Sequence, residues 1–167
     1  VNLLANGDFT SNTTGWASSV GAGSPTTLSI QSGISGATGN VLKIVAASST
    51  ASGANTSFAT VEGKHYKIKL NYAVGDISEI YLTVGTAAYP ASGYGNIQAF
   101  LSIGTDTDFS EDVLYEFKAT ATTTLYLSLI ATMTANAAFY VDNVSVEEVG
   151  TLVDFNPRSA STTKWYN

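Results

Sequence analysis

A two-residue alternation that returns along most of the chain constrains the fold more than any other feature. In His65–Val74, Tyr66, Ile68, Leu70 and Tyr72 fall on one side, with Lys67, Lys69 and Asn71 on the other. Successive side chains of a strand point to opposite faces, so this pattern describes a strand with one face in a core and one in water. Comparable segments are Thr26–Ser32, Asn40–Ala47, Thr56–Val61, Glu79–Val84, Ile97–Ile103, Val113–Ala119, Leu125–Ala131 and Ala138–Val146. Most are rich in β-branched or aromatic residues, and the gaps between them carry Gly, Asn, Asp or Ser. No segment sustains a helical period. Nine such strands predict an all-β, antiparallel β-sandwich, in the form of a jelly roll.

The 167 residues are enough for one domain with its own core. Charged residues make up 12%, and Ser and Thr take their place in runs such as Thr120 to Thr124. Hydroxyl-rich, weakly charged surfaces are common on extracellular and viral β-proteins. The net charge is −6 and there is no basic cluster. That excludes nucleic acid as a partner, because phosphate binding needs grouped Lys and Arg. Cysteine is absent, which removes disulfides, thiolate zinc sites and thiol nucleophiles. No apolar run approaches the ~20 residues of a membrane-spanning helix, and the expectation from these residues includes no signal peptide.

The segment TLVDFNPRSASTTKWYN (Thr151 to Asn167) breaks the alternation with a Pro, a Ser/Thr stretch and late aromatics. The expected organisation is therefore one sandwich over residues 1–149, with 150–167 a linker or the start of a following module. The Val1 start and the ending in Trp165, Tyr166 and Asn167 read as a segment of a longer polypeptide.

Catalysis finds few parts here. His65 is the only histidine and alternates with Tyr66 as a surface residue would. It offers neither a serine-nucleophile triad nor a three-ligand zinc site. A glycosidase needs two carboxylates across a cleft, and Glu79 alone falls near the outward aromatic face. The expectation is a binding protein, with no catalytic residues.

Alternation also assigns faces. Ile80, Leu82 and Val84 oppose Tyr81 and Thr83; Ile97, Ala99, Leu101 and Ile103 oppose Gln98, Phe100 and Ser102; Leu125, Leu127 and Leu129 oppose Tyr126 and Ser128. With the aliphatic sets in the core, Tyr81, Phe100, Gln98 and Tyr126 face outward. Such aromatics suit either sugar stacking or a protein interface.

The ends of the expected sandwich carry two further motifs. NLLANGDF (Asn2 to Phe9), followed by TGW (Thr14 to Trp16), opens the chain, and FYVDNVSV (Phe139 to Val146) closes it. Between them lie VEGKHYKIKL (Val61 to Leu70), YEFKAT (Tyr115 to Thr120) and LYLSL (Leu125 to Leu129). In this order they resemble carbohydrate-binding modules of the family 4, 9 and 22 type, over Asn2 to Glu148. The resemblance implies a jelly roll that binds glycans on one concave sheet and holds a structural calcium on the opposite side. It implies that the strands bearing Tyr81, Phe100 and Tyr126 share one sheet, so that these rings converge, with Gln98 orienting sugar hydroxyls. Tyr89 and Tyr94, in the loop from Thr86 to Asn96, would wall the groove. It implies calcium ligands at Asp8, at a carbonyl near Ser32 or Gly33, and at Asp142, although Thr10 stands where many relatives carry an acid. Asp8 and Asp142 would otherwise accept backbone N–H bonds at turns. Trp16 would be a packing residue, and the acids of DTDFSED (Asp106 to Asp112) a solvated turn that lacks EF-hand spacing.

The partner implied is a polysaccharide or cell-surface glycan, with neighbouring modules on the same polypeptide. DFNPR (Asp154 to Arg158), leading to TKWYN (Thr163 to Asn167), resembles junctions between adhesion modules of phage tail proteins. This adds an extracellular or virion-surface setting, a homo-oligomer in a virion, and an alternative role as a structural or oligomerisation domain of a tail fibre or capsid appendage without sugar binding.

Overall fold

The computed structural model describes residues 1–105 and 109–150 and builds from them two five-stranded antiparallel sheets, a β-sandwich of jelly-roll type. The strands are β1 (Ala17–Val20), β2 (Thr27–Ser32), β3 (Asn40–Val45), β4 (Thr50–Thr60), β5 (His65–Ala73), β6 (Ile80–Gly85), β7 (Gln98–Gly104), β8 (Ser110–Lys118), β9 (Thr123–Met133) and β10 (Ala138–Val149). One sheet runs β1-β4-β9-β6-β7 and the other β2-β3-β10-β5-β8. No helix among the described residues is long and apolar enough to cross a membrane.

The core lies between the sheets and is built by the alternation. Tyr66, Ile68, Leu70 and Tyr72 of β5 are buried, as are Leu42 and Ile44 of β3 and Phe139, Val141, Val144 and Val146 of β10. They face Phe58, Leu82, Val84, Leu125, Leu127 and Leu129 from the other sheet. Each such side chain contributes about 1.5–3 kcal/mol by leaving water.

Ten strands stand where the sequence predicts nine, and each difference has a local cause. The short strand β1 (ASSV) has no strong apolar period, and edge pairing to β4 holds it. The start of β4, TASGAN, reads as a turn because of Gly53 and Asn55. Both residues are needed in the strand. A Cβ at Gly53 would lie 1.8 Å from the Leu129 carbonyl oxygen of β9. The buried Asn55 amide donates to Ser19 Oγ at 2.8 Å and to carbonyls of β1. β8 begins at Ser110, so residues 110–112 of the expected acidic turn belong to a strand, while 106–108 lie outside the described residues. The segment 151–167, with its tail-like motifs, also lies outside them.

The two terminal motifs meet. The Leu3 amide donates to Val146 O (2.7 Å), the Val146 amide to Asn2 Oδ1 (2.9 Å), Asn2 Nδ2 to Val144 O (3.0 Å) and the Val144 amide to Gly7 O (2.8 Å). Gly7 is required by this close approach, since a Cβ there would sit 1.9 Å from Val144 O. Phe9 and Trp16 then enter the core with ring centroids 5.4 Å apart. Opposite them, β10 bulges between Asp142 and Ser145, with Asn143 at φ +51°.

Candidate functional site

β6, β7 and β9 lie in one sheet, and its outer face carries a contiguous aromatic cluster. Phe100 is the hub. Its ring centroid lies 6.0 Å from Tyr81, 5.6 Å from Tyr94 and 6.4 Å from Tyr89, all near edge-to-face. Tyr89 and Tyr94 also meet each other at 5.0 Å. The three tyrosines are half-buried, whereas Phe100 is 47% exposed. Phe100 also has φ +42°, a left-handed backbone that a bulky residue avoids. It sits at a bulge in β7, where Ala99 and Phe100, between Gln98 and Leu101, oppose the single residue Thr83 between Val84 and Leu82. Strain of about 1–2 kcal/mol is held here to turn an apolar ring outward.

Beside the cluster, Glu79 accepts hydrogen bonds from the Tyr81 hydroxyl and from Ser102 Oγ, one on each carboxylate oxygen. The Ser102 and Tyr81 donors hold the Glu79 carboxyl below its ordinary range. The same bond, with burial second, pushes the Tyr81 phenol up. Burial, then the neighbouring Tyr94, raises Tyr89. Tyr81 is thus fixed by a carboxylate that keeps spare acceptor capacity for further hydroxyls.

Two of the expected residues stand apart from the cluster, one by its face and one by its position. Gln98 opposes Val84, a core residue, and donates to Ala99 O at 3.1 Å. The extra residue at the bulge shifts the parity that put Gln98 beside Phe100. Tyr126 faces outward but opposite Gly85, four positions along the sheet from Tyr81, which opposes Ile130. That is about 13 Å along the strands, so Tyr126 does not join the ring cluster. Glu79 and Ser102, by contrast, emerge as the polar partners of the site. Ser102 was legible as outward, but its pairing with Glu79 depends on the turn into β6.

On the opposite side of the sandwich, Asp8 and Asp142 line one open hollow of about 400 Å³ with Thr10, Thr38, Gly39, Asn40 and Asn143. Asp142 also lines an adjoining hollow of about 150 Å³ with Asn71 and Phe109. Asp142 is 5% exposed, and its Oδ1 is buried without a hydrogen-bond partner. Burial raises its pKa; the Asn143 backbone bond opposes this and nearby Asp8 adds to it. Such a buried carboxylate, facing a second one among oxygen-bearing residues, fits a hard cation. Ser32 does not line this hollow, and its carbonyl accepts the Gln31 side-chain amide at 3.0 Å. The 38–40 turn stands there instead. The Thr10 carbonyl accepts the Asn40 side-chain amide at 2.7 Å. No cluster of three His, Cys, Asp or Glu residues occurs among the described residues, so carbonyl oxygens would have to complete any such site.

No family model and no curated protein matches the chain. Solved structures do. The CBM22-1 xylan-binding domain of Paenibacillus barcinonensis Xyn10C superimposes with a TM-score of 0.62 at 17% identity, over 85% of this chain and 91% of that one. A family 16 carbohydrate-binding module gives 0.63 at 19% identity, over 88% and 100%. The chain has the jelly-roll fold of carbohydrate-binding modules. The same jelly roll matches the enzymatically active domain of bacteriophage CBA120 tailspike protein 4 with a TM-score of 0.68 at 9% identity. That match covers 89% of this chain but only 22% of the tailspike chain.

Proposed function

We propose that this domain binds uncharged glycans without catalysis, through the cluster of Phe100, Tyr81, Tyr94 and Tyr89 with Glu79 and Ser102. The observation that carries this reading is an exposed, conformationally strained phenylalanine ringed by three tyrosines and flanked by a fixed carboxylate. Sugar rings offer C–H faces to aromatic rings and hydroxyls to acceptors, and the cluster supplies both. The fold shared with carbohydrate-binding modules supports the same reading.

Charge narrows the ligand. β1, β4, β6, β7 and β9 contain no Lys, Arg, Asp or Glu. The five described lysines, Lys43, Lys64, Lys67, Lys69 and Lys118, lie on the other sheet or at the turn entering β5. Among the described residues, an acidic glycan on the aromatic face would meet no counter-charge from this sheet and would meet the Glu79 carboxylate. The strands of this sheet carry, among the described residues, no second carboxylate with which to form a hydrolytic pair.

Calcium is the cofactor proposed for the other side. Asp8 and Asp142 would hold it, with oxygens of the 38–40 turn, and the ion would neutralise a buried carboxylate where the N-terminal segment meets β10. The module would work beside other modules of an extracellular or virion-surface protein, a setting the tailspike likeness supports. That likeness also favours a second reading, a structural or oligomerising tail-fibre domain with no sugar ligand.

A glycan array carrying neutral and uronate-bearing glycans, probed with the wild type, Phe100→Ala and Tyr81→Ala, tests the proposal. Binding to neutral glycans that both substitutions abolish supports it. No binding to any sugar, together with a concentration-dependent oligomer, would establish the structural reading instead.

A further inference from the structure

The outer face that carries the aromatic cluster is not an open sheet. Thr83, Ser128 and Ile130 alternate with core residues and point outward, yet they are 0%, 0% and 1% exposed. The loop between β6 and β7 lies across them. The Tyr89 amide donates to Ser128 Oγ at 3.1 Å. The Gly93 carbonyl and Tyr94 backbone press onto Gly85, where a Cβ would come within 1.9 Å of Gly93 O. A Cβ on Gly21, just past β1, would lie 2.9 Å from the Tyr89 hydroxyl, so Tyr89 reaches back over the sheet toward its far edge. Thr83 Oγ1 is left beneath the loop with no hydrogen-bond partner.

The loop is held in this shape by hydrogen bonds within itself and to the sheet. The Thr86 amide donates to Gly93 O (3.0 Å) and Asn96 Oδ1 (2.9 Å), the Tyr94 amide to Ala91 O (3.1 Å) and the Ile97 amide to Val84 O (3.1 Å). It divides the outer face into two patches. One holds Phe100, Tyr81, Ser102 and Glu79; the other holds Tyr126 with the exposed Ser57, its partner in β4. Between them the loop backbone covers Gly85 and Ser128.

We infer that the site takes a short stretch of glycan, about one or two sugar residues, and not a chain laid across the sheet. This rests on the glycan-binding reading above and names the part of a glycan it recognises. The rings around Phe100 lie 5.0–6.4 Å apart, which gives a patch about two rings wide. A chain terminus, a side branch or a short exposed stretch meets that patch fully, and further residues run off the β7 edge into water. The loop backbone over Gly85 blocks extension toward Tyr126.

Titration calorimetry of the whole chain with xylo-, cello- and β-1,4-galacto-oligosaccharides of one to six units tests this. The expected result is an affinity that rises to about the disaccharide and then levels, with Tyr126→Ala unchanged within about twofold. An affinity that keeps rising through the tetra- and hexasaccharide overturns the inference while leaving glycan binding at this face intact. So does a loss of tenfold or more in Tyr126→Ala. Absence of binding at every length, alongside a blank glycan array, overturns this inference and the reading beneath it together.

Discussion

Replacing Asp142 by Asn should have opposite effects with and without calcium. Without a cation, Asp142 places an ionised carboxylate where one oxygen has no partner and Asp8 stands close by. Burial raises its pKa, so in the metal-free domain ionising it works against folding. Asn keeps the shape and removes the charge, so the calcium-free variant should gain about 1 kcal/mol. For a domain of this size that is about 2–4 °C in melting temperature. With calcium the sign reverses. A ligand at a hundredfold excess over its dissociation constant stabilises the folded state by about 2.7 kcal/mol, or roughly 5–10 °C here. The wild type should gain this and Asp142→Asn should lose most of it. Asp8→Asn, at an exposed position, should lose the calcium response with little change in the chelated protein. The assay is differential scanning calorimetry in EDTA and in calcium. A wild-type melting temperature indifferent to calcium, or a chelated Asp142→Asn that melts below the wild type, would refute the cation assignment.

Other outcomes follow from the aromatic face. Glu79→Gln should narrow the preference for neutral over uronate-bearing glycans, by about three- to tenfold on arrays at low salt, because it removes the carboxylate that braces the cluster. The Glu79 carboxyl is held below its ordinary range, so its brace on Tyr81 is in place above pH 4.5 and is lost as pH falls through the lowered value. Glycan affinity followed by calorimetry should fall over that acid range in the wild type and stay flatter in Glu79→Gln. Gly53→Ala, whose Cβ would strike the Leu129 backbone, should cost at least about 2 kcal/mol in urea unfolding. A mild effect there would mean that the β4–β9 pairing is less closely fitted.

The architecture was legible wherever alternation ran unbroken. β5 buries and exposes the sides that the apolar period assigns, and β6 and β9 bury the aliphatic side it assigns to the core, because each covers one core face. β1 and the first half of β4 were not legible, because small and polar residues there are held by pairing and by Asn55, not by burial of apolar surface. Gln98 was misplaced because a bulge gives no period to read, and Phe100 is the residue that occupies it. The loop from Thr86 to Asn96 supplied the expected tyrosines, but its passage over Ser128 and Gly85 is a tertiary choice invisible in its own composition. The meeting of Asp8 with Asp142 was readable from the terminal motifs. The contribution of the 38–40 turn, in place of Ser32, was not.

The central claim is that the Phe100 cluster is the glycan-binding surface, and affinity electrophoresis of wild type and Phe100→Ala through neutral polysaccharide gels tests it most directly. Phe100 is exposed and strained, so its loss should leave the melting temperature within a few degrees of the wild type. Removing a central stacking ring should weaken binding by about 2 kcal/mol, roughly thirtyfold. Retardation of the wild type by xylan or β-glucan gels, abolished in the equally stable variant, is the result predicted. Equal retardation of both proteins would place the binding surface elsewhere on the sandwich.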